Sequence, residues 1–244
     1  ALSLPPATGA WMRYIVCMLA FYLWFFYRST KGDQVRWLPD SKDAWVRIVL
    51  IAVFAVMGYQ LLFMHGMKFT AAGDASLIIT MNPIFTVLLA SPFLGQRITG
   101  RMVYGLILAF IGVAVVTGWS PNTDIPLHDR LKGDFMIMLA ALCWATATNL
   151  TRIMLETEGD YGASSSEIVV WYSLVGTVLL TPWWLADVYS GGFETPNNED
   201  LVAILYLSIL STVLAYIWFV IGVEKIGATS ASSYVFLVPP FGVL

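Results

Sequence analysis

Only 12% of the 244 residues are charged while 58% are hydrophobic, and the mean hydropathy is +0.74. A soluble domain of this length is about a quarter charged, so the composition excludes one and describes a membrane protein. The net charge of -3 comes with no basic block, which argues against nucleic acid as a partner, and the two cysteines, Cys17 and Cys143, lack the spacing of a metal site or disulfide framework.

A hydrocarbon core of roughly 30 Å takes about 20 apolar residues in helical form. The chain supplies that length repeatedly, so a single anchor is excluded. The apolar runs are Thr8 to Tyr27, Trp45 to Gly66, Ala71 to Leu94, Met102 to Trp119, Phe135 to Leu155, Ile168 to Ala186 and Leu201 to Val223, separated by charged, Pro and Gly clusters. An eighth run begins near Ser230 and is still apolar at Leu244. Its length gives about 22 Å of helix, so an unfinished span is expected there. No Met opens the chain and no signal peptide precedes the first run, so a cut start is expected as well.

Lys and Arg set the expected orientation, because cytoplasmic loops are enriched in both. The loop after the first run holds Arg28, Lys31, Arg36, Lys42 and Arg47, and loops on the same side add Arg97, Arg101, Arg152 and Lys225. The opposite side has Lys68, Arg130 and Lys132. The first loop, Arg28 to Arg47, is therefore expected in the cytoplasm. Trp11, Trp24, Trp45, Trp119, Trp183 and Trp184 near run ends suit headgroup anchoring.

A shift of 157 residues superimposes Leu50 on Leu207, Val56 on Val213, Tyr59 on Tyr216 and Lys68 on Lys225, and then Ala71, Ser76 and Pro83 on Ala228, Ser233 and Pro240. The matched runs lie five crossings apart, so they pass through the bilayer in opposite directions. Such inverted-topology repeats occur in many secondary transporters, with the site near the midplane between them.

Pro83 and Pro240 interrupt corresponding runs, either as packing kinks or beside a cavity that the freed backbone groups face. Polar residues at mid-depth must face inward or pair. These are Tyr59 and Gln60, Trp144, Thr148 and Asn149, and Tyr216 and Trp218, with Asn82 beside Pro83 and Tyr234 ahead of Pro240. Amides and hydroxyls there either bond neighbouring helices or orient a solute, and the tryptophans either pack or stack. Arg13 either snorkels beside Trp11 or meets a carboxylate-bearing solute. Asp74 at the start of a run favours a helix N-terminus, and His65 sits near an interface. Gly105, Ala109 and Gly112 put small residues on one helix face, and the acidic stretches Glu156 to Asp160 and Glu194 to Asp200 read as loops.

The stretch Ala71 through Gly118, AAGDASLIITMNPIFTVLLASPFLGQRITGRMVYGLILAFIGVAVVTG, resembles the two-helix signature of EamA-type proteins of the drug/metabolite transporter superfamily. LPPATGAWMRY at Leu4 to Tyr14, GDFMIMLAALCWATATN at Gly133 to Asn149, and Tyr216 to Leu244 extend the likeness. One departure is Gln96 in the turn Gly95-Gln96-Arg97-Ile98-Thr99, where that family usually has Glu. The resemblance implies an all-α membrane protein, a polytopic helical bundle of two inverted repeats, here about eight spans of a ten-helix transporter. It divides the chain into a first repeat lacking its first helix (1–119), a connecting loop (120–134) and a second repeat lacking its last helix (135–244).

What it implies for function is a carrier moving an amino acid or related metabolite outward by alternating access, in a bacterial or archaeal cell membrane. The expected partners are the lipid bilayer and a small-molecule substrate, with a homodimer left open, and neither cofactor nor metal is expected. Substrate-binding candidates are Tyr59, Gln60, Asn82, Trp144, Asn149, Tyr216, Trp218, Tyr234 and Arg13, with Pro83 and Pro240 interrupting the helices. Two other readings compete. An intramembrane enzyme would need paired acids, a nucleophile with its base, or metal ligands at membrane depth, and the spans carry no such set. A non-transporting structural or receptor subunit would need a sealed bundle.

Overall fold

Pro6 opens the first helix, α1 (Pro6–Thr30), because a proline in the first turn gives up no helical hydrogen bond. The computed structural model describes residues 4–95, 125–158, 164–191 and 195–238, with scattered positions between 99 and 115. Within them follow α2 (Lys42–Gly66), α3 (Ala72–Leu94), α4 (Leu127–Glu158), α5 (Ser165–Gly191) and α6 (Asn198–Ile226). A short helix, α7 (Ala228–Ser233), leads into a 3₁₀ turn at Tyr234–Leu237. No strand occurs among the described residues, and six helices, α1 to α6, are long and apolar enough to cross a bilayer. The protein is an all-α polytopic membrane bundle.

Local chemistry fixes several ends. Ser41 caps α2 by accepting the Ala44 N–H at 3.0 Å. Asn197 and Asp200 form a reciprocal capping box at α6, with bonds of 2.8 and 3.2 Å. Gly95 ends α3 at φ +64°, a left-handed conformation that glycine adopts without strain. The start of α4 differs from expectation. Arg130 and Lys132, expected in a loop, lie in its first two turns, because the helix begins at Leu127 instead of Phe135. The run Met102 to Trp119 falls largely outside the described residues, as do Gln96, Arg97, Gly112, Trp119 and Pro240.

Among the described residues two helices carry π turns, and two 3₁₀ turns occur. The π turns are Val53–Gly58 in α2 and Ile209–Leu214 in α6, and the 3₁₀ turns are Ile79–Met81 in α3 and Tyr234–Leu237 after α7. Each pair sits within two residues of the offset that superimposes the repeat. The irregularities therefore recur at matching places of the two stretches that the 157-residue shift superimposes. Pro83 lies at the break in α3. It is not a kink within a continuous helix, but the second residue of the segment Asn82–Leu94, which restarts after the 3₁₀ turn.

Packing holds these broken helices in place. The larger core joins Tyr14, Phe21 and Phe25 of α1 to Ile48 and Ile51 of α2, Met154 of α4, and Ile168, Trp171 and Leu180 of α5. The α2 π turn presses into its neighbours: a Cβ added at Gly176 of α5 would lie 2.5 Å from Val56, and one at Gly58 would lie 3.3 Å from the Cys143 sulfur. Polar bonds join further pairs. Ser208 Oγ donates to the Arg13 carbonyl at 3.0 Å, linking α6 to α1. Trp11 Nε1 donates to Thr181 Oγ1 at 3.1 Å, and the Trp11 ring stacks on Trp184 of α5 at 4.0 Å. The outside is a belt of exposed apolar side chains, Leu19, Leu23, Phe26, Val178, Val202 and Leu205 among them, which suits lipid and would be costly in water.

The two ends of the bundle differ. At the end where α1 hands over to α2, Trp171 Nε1 donates to the Arg36 carbonyl at 3.3 Å, and the Arg36 N–H donates to Glu167 Oε1 at 2.8 Å. Arg152 Nη1 there donates to the carbonyls of Val223 and Glu224 at 3.1 and 2.8 Å, while Ser165 bonds the Glu224 carboxylate. At the opposite end α3 and α4 are joined by a buried ion pair, Arg130 Nε to Asp74 Oδ2 at 2.7 Å, with Thr70 bonded to Asp134 beside it. Asp74, read from sequence as a helix N-terminal charge, therefore has a specific cationic partner.

Candidate functional site

The irregular segments surround a cavity of about 570 Å³. Its wall takes Arg13 from α1, Tyr59, Gln60 and Phe63 from α2, Ser76 and Asn82 from α3, Trp144 from α4, Ser211, Tyr216 and Phe219 from α6, and Val235 and Val238 beyond α7. Met67 and Ala72 extend it toward the end that holds the Asp74–Arg130 pair. Residues of the other end, around Arg152 and Glu224, take no part in the wall. This volume falls in the range of small-molecule sites, which are mostly apolar with a few placed polar groups.

Trp144 is the centre of the aromatic wall. Its ring lies 5.4 Å from Tyr59, 5.0 Å from Tyr216 and 5.6 Å from Phe219, all tilted, and Tyr59 stacks on Phe63 at 5.4 Å. Helical spacing explains the grouping, since Tyr59 and Phe63 are four apart and Tyr216 and Phe219 three. Such a wall offers flat apolar faces edged by two phenolic hydroxyls.

The polar groups are few. Arg13 Nε donates to Thr212 Oγ1 at 2.7 Å, and that hydroxyl donates to the Leu207 carbonyl at 2.8 Å, five residues back, as the π turn requires. Gln60 is fully buried, and neither its amide nitrogen nor its amide oxygen has a protein partner. Asn82 Oδ1 accepts the Thr86 hydroxyl at 3.2 Å.

Six of the nine candidate residues, Arg13, Tyr59, Gln60, Asn82, Trp144 and Tyr216, line this one cavity. Asn149 does not. It is buried nearer the other end, where its Nδ2 donates to the carbonyls of Thr86 and Ala145 at 3.1 and 3.0 Å, so it bonds α4 to α3. Trp218 and Tyr234 also lie off the wall, 68% and 67% exposed on the outside of the bundle. Trp218 follows Tyr216 by two positions, about 200° around a helix, which carries it to the far side. Phe63, Phe219, Ser76 and Ser211 belong to the wall and were not singled out, although i+3 and i+4 spacing from the two tyrosines points to the first two. A second cavity of about 510 Å³, between α1, α5 and Trp37, is lined almost wholly by apolar side chains and offers no cluster of polar groups to orient a solute.

A model of the EamA-like transporter family matches residues 1–118 and 131–244. The chain is 27% identical over 238 residues to the uncharacterized transporter YyaM of Bacillus subtilis, covering 96% of this chain and 73% of that protein. It is 28% identical over 212 residues to a protein of Streptantibioticus cattleyicolor named a probable terminal-alkyne amino-acid exporter, covering 84% of this chain and 65% of that one. A solved crystal structure shares the fold at a TM-score of 0.73 and 16% identity, covering 99% of this chain and 79% of that one.

Proposed function

The chain belongs to the EamA-like transporter family, and from that premise we propose that it carries an amino acid or related metabolite outward across a bacterial or archaeal cell membrane by alternating access. The observation that carries this reading is the amphipathic cavity walled by the irregular segments of α2, α3 and α6 and the turn after α7. A carrier needs a site that polar and apolar parts of a solute both fit, set between halves that can rock about it. The halves are residues 1–119 and 135–244, joined through 120–134. Binding falls to Trp144, Tyr59 and Tyr216 as stacking surfaces and to Arg13, Gln60 and Asn82 as polar contacts.

With the Arg28 to Arg47 loop in the cytoplasm, as its basic residues favour, the cavity described here faces outward. The bonds around Arg152, Glu224 and Ser165 then form the closed inner side. The amino-acid class and the outward direction are supported by the name of the Streptantibioticus relative.

The test is transport by the full-length protein in liposomes, with a panel of labelled amino acids and related metabolites under inward and outward gradients. Trp144→Ala and Tyr216→Ala are each expected to lower the initial rate about ten-fold, the loss of roughly 1.4 kcal/mol of stacking and contact. Both variants should remain folded, as judged by size-exclusion profile. Unaltered rates in both would remove the cavity from the transport path.

A further inference from the structure

Arg13 poses a question that the stacking wall does not answer. One guanidinium nitrogen is held by Thr212, and the side chain faces the cavity. Among the described residues no carboxylate comes within ion-pair distance of it, although every other arginine described in an ion pair reaches one at 3.3 Å or less. The titratable groups around it are Tyr216, Tyr14, Cys17 and Tyr59, which in ordinary surroundings are uncharged near neutral pH. A cation inside a membrane bundle without a counter-charge is costly and is kept for a reason.

The bond to Thr212 uses Nε alone, and Arg13 lines the cavity, where the two terminal nitrogens of a planar guanidinium can match a carboxylate by parallel hydrogen bonds. Gln60, on the adjacent helix, is the second indicator. A fully buried amide with no protein partner at either end has both a donor and an acceptor to offer to whatever fills the cavity.

We propose that the cargo carries a carboxylate that is held by Arg13, with an apolar or aromatic body against Trp144 and a second polar group that meets Gln60. The proposal rests on the carrier reading for its setting, and it specifies the acidic group of the solute and the residue that selects it. The bond from Arg13 to Thr212 places this contact on the π turn of α6, so binding of the anion bears directly on the irregular segment of one half.

The test uses binding, which does not require transport. Full-length protein in lipid nanodiscs is titrated with matched acid and amide pairs, 3-phenylpropionate with 3-phenylpropionamide and N-acetylphenylalanine with N-acetylphenylalaninamide, followed by calorimetry and tryptophan fluorescence. Sodium chloride at equal concentration serves as the inorganic anion. The acids are expected to bind at least about ten-fold tighter than their amides and to outcompete chloride. R13K should keep part of that preference and R13Q should abolish it. Equal affinity for acid and amide, a preference that survives in R13Q, chloride binding in place of every acid, or no binding of either acid would each overturn the proposal. Should R13Q not yield folded protein, the acid-to-amide ratio of the unsubstituted protein and of R13K decides. Acid-selective binding without transport would sink the carrier reading alone. Transport of neutral solutes indifferent to R13K and R13Q would sink the anion proposal alone.

Discussion

Replacing Arg130 by Ala is expected to cost the folded state about 3–5 kcal/mol, because it strands the Asp74 carboxylate in a buried site, and replacing Asp74 by Ala is expected to cost less, because the Asp134 carboxylate also acts on Arg130. The two side chains are only 8% and 2% exposed, and they meet at 2.7 Å between the first turns of α4 and α3. Asp74 would keep some help from the N-terminal amides of α3 if Arg130 were removed. Replacing both at once, as Asp74→Leu with Arg130→Met, should recover much of the loss, since a buried ion pair is worth little more than well-packed apolar side chains. Reversible unfolding of the three variants in mixed micelles gives the two single losses and the recovery in the double variant. Single losses below about 1 kcal/mol would mean that the pair behaves as an exposed one.

Gly133 carries the second large expectation. There α4 lies against the α2–α3 turn backbone to backbone: an added Cβ would sit 2.8 Å from the Gly66 oxygen, 2.8 Å from the Phe69 carbonyl carbon and 2.9 Å from the Thr70 nitrogen. No rotamer change relieves contacts made by main-chain atoms. Gly133→Ala should therefore reach the upper end of the usual overpacking cost, about 3 kcal/mol, and Gly133→Leu should give no folded protein. Gly73, in the first turn of α3, is the control, because a Cβ there meets nothing within 4 Å. Its replacement by Ala should be neutral or slightly stabilising through helix propensity. Equal thermal stability of the Gly133→Ala and Gly73→Ala proteins would show that the close approach is not made.

The spans were legible in the sequence because hydropathy and length decide them together, and α1, α2, α3, α5 and α6 all overlap their apolar runs. The start of α4 was not. Leu127 to Asp134 includes His128, Asp129, Arg130 and Lys132, too polar for a hydropathy rule, and it is helical because its charges pair across to α3. The π and 3₁₀ turns leave no mark on composition, and the repeat offset alone hinted that one irregularity would have a counterpart. For the cavity, mid-depth polarity singled out Tyr59, Gln60, Asn82 and Tyr216, which line it, but equally Asn149, which bonds another helix. Proximity in sequence misled for Trp218 and Tyr234, since neighbours on a helix point about 100° apart per residue. Phe63 and Phe219 look like any core aromatic until their tyrosine partners are placed.

The stacked indoles of Trp11 and Trp184 have an optical consequence. Two rings 4.0 Å apart and 7° from parallel couple their excited states, so the near-ultraviolet circular dichroism should contain a split signal that neither tryptophan gives alone. The pair ties α1 to α5 across the end that holds the Asp74–Arg130 bridge. Any rearrangement that parts those helices would abolish the couplet, and the protein would report its own opening without a label.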